Sequence, residues 1–324
     1  MVSFTVVIPV FNRSSTVWPT LRSVQEQTFE DFECLVVDDG SEDCDELKMI
    51  VSKLDDHRFR YIYQSNGGGG AARNTGILAA KGEWISLLDS DDRFHTSKLA
   101  VIASSAHKDP SVQIWSHRAL VDRGDGVSFI RPTKLPKDSD SIADLMFCYR
   151  EFLQTSTLSV RTDWARRILF DASLRKAQDV DFMIRLERAG AKYRCLPDVL
   201  SLWNDRPAEN RVGAPRRPSD VKRWYAQQRP FLSPKLRRAF EATYLSYEVA
   251  KETPFRAFFM ILRSLAFGSI GARMAILSLL RAFLNQRIYR HILNYLVKGR
   301  SAKMPTFDVQ EFEYSTSPEI SKSK

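Results

Sequence analysis

Residues 87–94 read LLDSDDRF, in which two leucines close an apolar run and Asp89, Asp91 and Asp92 follow at once. Carboxylates crowded at one strand end repel each other unless an opposite charge joins them. Oxygen-only donors suit hard ions such as Mg2+ or Mn2+, which take one or two carboxylates and leave the remaining positions to substrate phosphates. The octapeptide alone also reads as a solvated turn whose aspartates cap the next helix, around residues 96–106. Its surroundings decide between the two.

Three further apolar runs precede it: SFTVVIPV (3–10), FECLVV (32–37) and FRYIY (59–63), with EWISLL (83–88) leading into the octapeptide. Each is short and rich in β-branched or aromatic residues, the mark of a buried strand. Between them, residues 15–27, 43–54 and 71–80 carry helical periodicity, the first two opening on Ser or Asp as cap residues. Strand alternating with helix predicts a parallel sheet covered on both faces. Such sheets bind ligands outside the carboxyl ends of their strands. Those ends hold PVFN (9–12), DDGS (38–41), QSNGGGG (64–70) and the octapeptide, so all four point at one crevice.

Beyond residue 96 the pattern loosens. Strands are expected in 111–135 around the turn RGDG (123–126), a helix near 139–148, a strand near 155–161 and a helix near 177–189. From about residue 216 the chain reads as helices to about residue 299. The last residues, rich in Ser, Lys and Pro, predict disorder. This divides the chain into residues 1–214, a basic amphipathic helical region 215–303 and a disordered tail 304–324.

Composition narrows the class. The 324 residues are 44% hydrophobic, enough for a sizeable core and unlike disordered or collagenous chains. Cys34, Cys44, Cys148 and Cys195 show no CxxC or metal-type spacing, which suits structural thiols in a reducing compartment. The N-terminus lacks a basic n-region and reads as a first strand, and arginines interrupt every later apolar run below the roughly 18 residues of a spanning helix. A cytoplasmic protein is expected. Its net charge of +9 is uneven: residues 1–125 hold 13 Lys/Arg against 19 Asp/Glu, whereas residues 216–303 hold 18 against 4.

At the crevice, the Asp38–Asp39 pair can accept N–H donors from a base or hydroxyls from a ribose. The glycine turn 67–70, followed by a helix bearing Arg73, is expected to turn backbone N–H groups and a guanidinium towards an anion. Gly67, Gly69 and Ala72 also meet a relaxed GxGxxA dinucleotide fingerprint, with Asp89 about 20 residues on. That NAD-binding oxidoreductase reading uses neither the acidic triple nor the Asp38–Asp39 pair.

Taken in order and spacing, VVIPVFNR, SVQEQTFEDFECLVVDDGS, NGGGGAARNTGILAAKGEW and LLDSDDRFHTSKL resemble family 2 glycosyltransferases of the GT-A fold. The likeness covers about residues 3–99 strongly and reaches more weakly to about 205. It implies a Rossmann-like α/β domain with a mixed sheet, followed by a C-terminal α-helical region. It also implies metal-dependent, inverting transfer of a sugar from a nucleotide-sugar donor, with UDP the expected nucleotide. By the same resemblance Pro9, Phe11 and Asp39 hold the base, Arg73 lies near base and ribose, and Asp89 lies near the ribose. Asp91 meets a bridging Mn2+ or Mg2+, and Asp92 is a second metal ligand. The family's base, the second residue of an acidic pair opening a helix, falls on Asp179 in KAQDVDFMIRLERAG, with Gln178 in place of the first acid. The helix dipole is expected to favour the carboxylate form of Asp179. Asp181 points elsewhere, because residues two apart on a helix do not share a face. Asn204, Arg206 and Arg211 are implied diphosphate contacts, Asn204 standing where relatives often have a histidine.

The acceptor is expected to be a sugar or lipid-linked sugar in surface polysaccharide or glycolipid assembly. The basic helices with their aromatics predict a peripheral site on an anionic inner membrane face, although their apolar faces also fit packing against one another or the catalytic domain. No recognition motif for nucleic acid accompanies the charge. A nucleotide-binding scaffold without turnover is the alternative from another class, against which Asp39, Asp89, Asp91 and Asp179 all argue.

Overall fold

The computed structural model describes residues 3–206, apart from 125, 138, 152 and 176, and residues 218–285, with 288, 289, 292 and 312 besides. Phe4–Val10 forms β1, Trp18–Gln25 α1, Phe32–Asp38 β2, Cys44–Ser52 α2, Phe59–Tyr63 β3, Gly69–Ala79 α3 and Trp84–Leu87 β4. These alternate as the periodicity predicts, and β3, β2, β1 and β4 lie side by side in that order, all parallel. β2 is buried along its whole length, the reason it reads as a continuous apolar run without alternation. The expected cap roles do not form: Val17 and Asp43 precede α1 and α2 without a side-chain cap bond, and Asp43 Oδ2 instead accepts from Ser14 N at 2.9 Å.

The chain then continues through β5 (Arg93–Phe94), α4 (Lys98–Lys108), β6 (Ile114–Asp122), β7 (Ser128–Arg131), β8 (Ser159–Arg161), α5 (Thr162–Ile168), α6 (Gln178–Arg188) and β9 (Tyr193–Asn204). β8 joins the sheet antiparallel to β4, and the order runs on through β6 and β9 to β5, giving nine strands among the described residues, with β7 paired to β6. This mixed extension is the GT-A-like α/β arrangement expected. The helix foreseen near 139–148 is a single wide helical turn over Asp144–Cys148. β9 went unforeseen because its sequence YRCLPDVLSLWN carries Pro197 and Asp198 in the middle. Those two residues fall in a register break, between Leu196 opposite His117 and Val199 opposite Arg118, where a bulge tolerates a missing N–H.

The helical region comprises α7 (Pro218–Gln228), α8 (Pro234–Phe240), α9 (Ser246–Val249), α10 (Pro254–Ala266) and α11 (Ala272–Phe283). Among the described residues it has no core separate from that of the sheet. Trp224, Phe240 and Ile261 share one apolar cluster with Val7, Leu35 and Val37 of the sheet, while Val6, Ile8, Cys34 and Val36 on the other face pack with α1 and α2. Phe147 sits at the junction, edge-on to Trp224, Phe240 and Tyr244. Within the stretch 304–324 expected to be disordered, Phe312 is buried against Leu120, Ile130, Val199 and Leu202, and its carbonyl accepts from Arg93 Nη1 at 2.9 Å.

Two close approaches seat the site. A Cβ on Gly76 of α3 would lie 2.3 Å from Val7 Cγ1, so only glycine lets α3 lie this near β1. A Cβ on Gly82 would lie 2.4 Å from the Phe4 carbonyl carbon, which fixes the entry of β4. The strand ends bearing Phe11 and Asp89 are thereby brought side by side.

Candidate functional site

The carboxyl ends of β1, β2 and β4 open into a cavity of about 530 Å3. Pro9, Val10, Phe11 and Arg13 line it from β1 and Asp39 from β2. Asn66, Gly68, Gly69 and Arg73 come from the turn into α3, Asp89, Ser90 and Asp91 follow β4, and Trp203 and Asn204 end β9. Of the residues singled out from sequence, Pro9, Phe11, Asp39, Arg73, Asp89, Asp91 and Asn204 therefore meet in one place. Topology explains this: in parallel strands every carboxyl end faces the same way.

Two of the three carboxylates lining the cavity, Asp89 and Asp91, are paired with guanidinium groups. Arg73 Nη2 donates to Asp89 Oδ1 at 2.6 Å and Nη1 to Gln178 Oε1 at 2.8 Å, so one guanidinium ties the acidic loop to the start of α6. Arg13 Nη1 meets Asp91 Oδ2 at 2.9 Å. Arg13 was not singled out in the sequence, although it directly follows Asn12, whose positive φ of 50° turns the chain leaving β1 back over the strand ends.

Several expectations require correction. The glycine turn does not offer its first N–H groups to an outside anion: Gly67 N and Gly68 N donate to the two oxygens of Asp39, each at 2.8 Å, and Gln64 Nε2 adds a third bond at 2.7 Å. A carboxylate has about four lone-pair sites, so Asp39 keeps roughly one for a ligand. Of the two glycines in the dinucleotide fingerprint, Gly67 thus spends its N–H on Asp39 and does not offer it to a pyrophosphate. Asp38 does not share the crevice. It is fully buried, accepting from Ser41 N at 2.9 Å and Tyr61 Oη at 2.6 Å, and burial with this carboxylate beside it pushes the Tyr61 phenol up.

Asp92, expected as a second metal ligand, turns inward. Its Oδ2 accepts from Gln154 Nε2 and from Ser156 Oγ, the latter at 2.6 Å, and its Oδ1 from Asn204 N at 2.9 Å. Burial, with Asp91 and Asp89 nearby, pushes this carboxyl well above the usual range. The buried Lys98 ammonium lies beneath it, pushed down by burial, donating to Ser156 O at 3.0 Å and standing 3.3 Å from the Phe94 ring centre. Ser156 also takes the Asp89 N–H on its hydroxyl at 3.0 Å. Asp92 thus clamps the acidic loop to β9 and to the turn before β8, leaving Asp89 and Asp91 to face the cavity.

Arg206 is likewise held elsewhere. Its guanidinium pairs with Asp122 at 2.7 Å at the end of β6, outside the cavity lining. Asn204 reaches the cavity, with its Oδ1 accepting from Arg206 N at 3.2 Å. Arg211 lies outside the described residues.

Asp179 stands in the first turn of α6, beside Gln178 and hence beside Arg73. Ala177 ahead of it is left-handed (φ 58°), and Asp179 Oδ1 accepts from Val180 N at 2.9 Å. Burial pushes its carboxyl up to about 6 against the opposing pull of Arg73 and of that N–H. Desolvation here outweighs the helix dipole expected to favour the charged form. Asp181 faces away, as helical spacing requires. It is buried and bonded by Arg185 Nε at 2.6 Å, Trp224 Nε1 at 3.0 Å and Gln228 Nε2 at 3.3 Å, so α7 is fastened directly to the helix that carries Asp179.

Comparison with known proteins agrees with this arrangement. Residues 5–166 match the family model described as glycosyl transferase family 2. The amylovoran biosynthesis glycosyltransferase AmsB of Erwinia amylovora is 30% identical over 261 residues, covering 76% of this chain and 83% of that one. Crystal structures of S. aureus TarS residues 1–349 in complex with UDP and with UDP-GlcNAc superpose with TM-scores of 0.61 and 0.65 at 19% identity. The matches cover 94% of this chain and 93% of that 1–349 chain, and therefore show a shared fold. The order of the strand ends, the acidic loop that follows β4 and the family match converge on one conclusion: the chain belongs to glycosyl transferase family 2.

Proposed function

We propose that the chain transfers a sugar from a UDP-sugar to a hydroxyl acceptor, with inversion at the anomeric carbon, during assembly of a surface polysaccharide. The observation that supports this most is the joining of Asp39, Arg73, Asp89 and Asp91 at one cavity with Asp179 one hydrogen-bonded step away through Gln178. Pro9 and Phe11 supply an apolar wall for a flat base, and Asp39 retains an acceptor site for its N–H. Trp203 lines the same cavity. The UDP and UDP-GlcNAc complexes of TarS favour a uridine donor, and the named role of AmsB in amylovoran biosynthesis favours a polysaccharide product.

A divalent cation fits this donor set if the diphosphate contributes ligands. Among the described residues no group of three or more His, Cys, Asp or Glu is arranged to hold a metal, but Mg2+ or Mn2+ beside a nucleotide needs only one or two carboxylates. Asp91 would hold it, and Arg13 would have to release Asp91 in exchange. When bound, the ion would neutralise charge developing on the leaving diphosphate.

The chain's own residues account for the rest. Asp179, ionised above about pH 6, takes the proton from the acceptor hydroxyl as its oxygen bonds to the anomeric carbon. The bond from that carbon to the diphosphate breaks and its electron pair leaves with the nucleotide. Arg73 orients Gln178 and Asp89 through one rigid fork. Arg13, once freed from Asp91, is a second cation for the diphosphate.

Calorimetric titration of UDP, GDP, dTDP and NAD with and without Mn2+, repeated on Asp91→Ala, tests the reading. Metal-dependent binding of UDP that the variant loses is the expected result. Binding of NAD alone, or UDP binding indifferent to both Mn2+ and Asp91, overturns it.

A further inference from the structure

We infer that the outer face of α10, with the adjoining exposed face of α11, seats the protein on an anionic phospholipid surface. This stands apart from the donor reading and holds whatever nucleotide the cavity takes.

α10 is apolar on two sides. Ala257, Ile261 and Ser264 are buried inward, whereas Phe255, Phe258, Phe259 and Leu262 form an outward stripe at i, i+3, i+4 and i+7. Phe255 is 80% exposed and Phe259 65%. A surface helix in water normally carries polar groups on that side. The stripe is extended by Phe267 after α10 and by Ile276 and Phe283 on α11, which packs on α10. Among the described residues, nine of the fourteen large hydrophobic side chains exposed to solvent lie in 218–292, about a quarter of the described chain. Such concentration marks an interaction surface.

Charge selects the partner. Arg256 and Arg263 flank the aromatic stripe on α10 and Arg273 opens α11, all three exposed. Beside Phe259 lies a recess of about 720 Å3 lined by Lys222, Arg229, Arg256 and Arg263; Arg263 pairs with Glu241 at 2.5 Å and Lys222 lies 3.9 Å from Glu252, which leaves an excess of two positive charges from Arg229 and Arg256. The whole stretch 216–303 carries 18 basic and 4 acidic residues. Pairing with a second copy through this face would set like charges together, which is costly at an interface. Anionic headgroups over an apolar interior match both features: arginines for phosphates, phenylalanines for the acyl boundary. α10 and α11, of 13 and 12 residues with apolar faces turned outward, suit a contact lying along the surface, and no helix among the described residues is long and apolar enough to cross a membrane.

The test is sedimentation of the full chain, without nucleotide, with vesicles of phosphatidylcholine alone or mixed with phosphatidylglycerol. Partition into the mixed vesicles at least about tenfold above the neutral ones, falling as salt rises, is expected. Arg256→Ala and Arg273→Ala should each weaken it by roughly fivefold. Phe255→Ser combined with Phe259→Ser should abolish it while leaving thermal unfolding and UDP release unchanged. Equal partition into both vesicle types, or partition indifferent to these substitutions, overturns the inference. So does light scattering in which the double phenylalanine variant turns an oligomer into a monomer while vesicle partition stays unaltered, which would assign the face to a second copy.

Discussion

Replacing Asp179 by Asn should lower activity and raise stability together. The isosteric amide keeps an oxygen for the Val180 N–H, so the turn is not broken, but the proton acceptor is gone. Loss of a general base typically costs about 10²–10⁴-fold in turnover. The stability change follows from burial. The Asp179 carboxyl rises from 3.8 to about 6 on folding, which corresponds to about 3 kcal/mol against the folded state at neutral pH. Water reaching this half-buried side chain reduces that to roughly 2 kcal/mol. Because the folded value is the higher one, the penalty is absent below 3.8, grows as pH rises and is complete above 6. Urea unfolding at pH 7.5 should therefore show Asp179→Asn more stable than the parent, the gap closing towards pH 4. UDP release from a panel of UDP-sugars should in the parent fall to about a tenth by pH 5, and Arg73→Gln should shift the inflection upward, because Arg73 holds the carboxyl down. Asp179→Asn that loses stability along with activity would mark a structural cap. A variant keeping more than about a third of turnover would remove Asp179 from the mechanism.

Other substitutions separate the site from its supports. Asp92→Ala leaves Gln154 Nε2, Ser156 Oγ and Asn204 N without their acceptor, so chemical denaturation should register a loss of about 3 kcal/mol or more, whereas Asp91→Ala should leave stability within about 0.5 kcal/mol. Gly76→Ala should cost at least about 1–3 kcal/mol by pushing α3 off Val7, and UDP affinity should fall with it because α3 carries Arg73. Trp224→Phe removes a donor from buried Asp181 and should destabilise by about 1.5–3 kcal/mol, with the calorimetric UDP affinity unchanged.

How far the site could be read in advance depended on the range of the forces involved. β1 to β4, their helices and the convergence of Pro9, Phe11, Asp39, Arg73, Asp89 and Asp91 follow from patterns within a few residues. β9 did not, because its Pro197 and Asp198 are tolerated only by a bulge whose partner is β6. Arg13 lacked a signal because its worth lies in meeting Asp91 across the cavity. For Asp179 the sequence showed a helix start but not the burial that reverses the expected direction of its titration.

The acidic stretch 87–94 divides most clearly. Its composition determined that several carboxylates would stand at the end of a buried strand, since apolar period and charge are local properties. Which carboxylate turns outward was decided by groups far along the chain, Gln154 and Ser156 at separations of 62 and 64 residues and Asn204 at 112, which capture Asp92 and leave Asp91 facing the cavity. A hydrogen bond acts over about 3 Å, so only the folded chain, having brought those donors within reach, could choose.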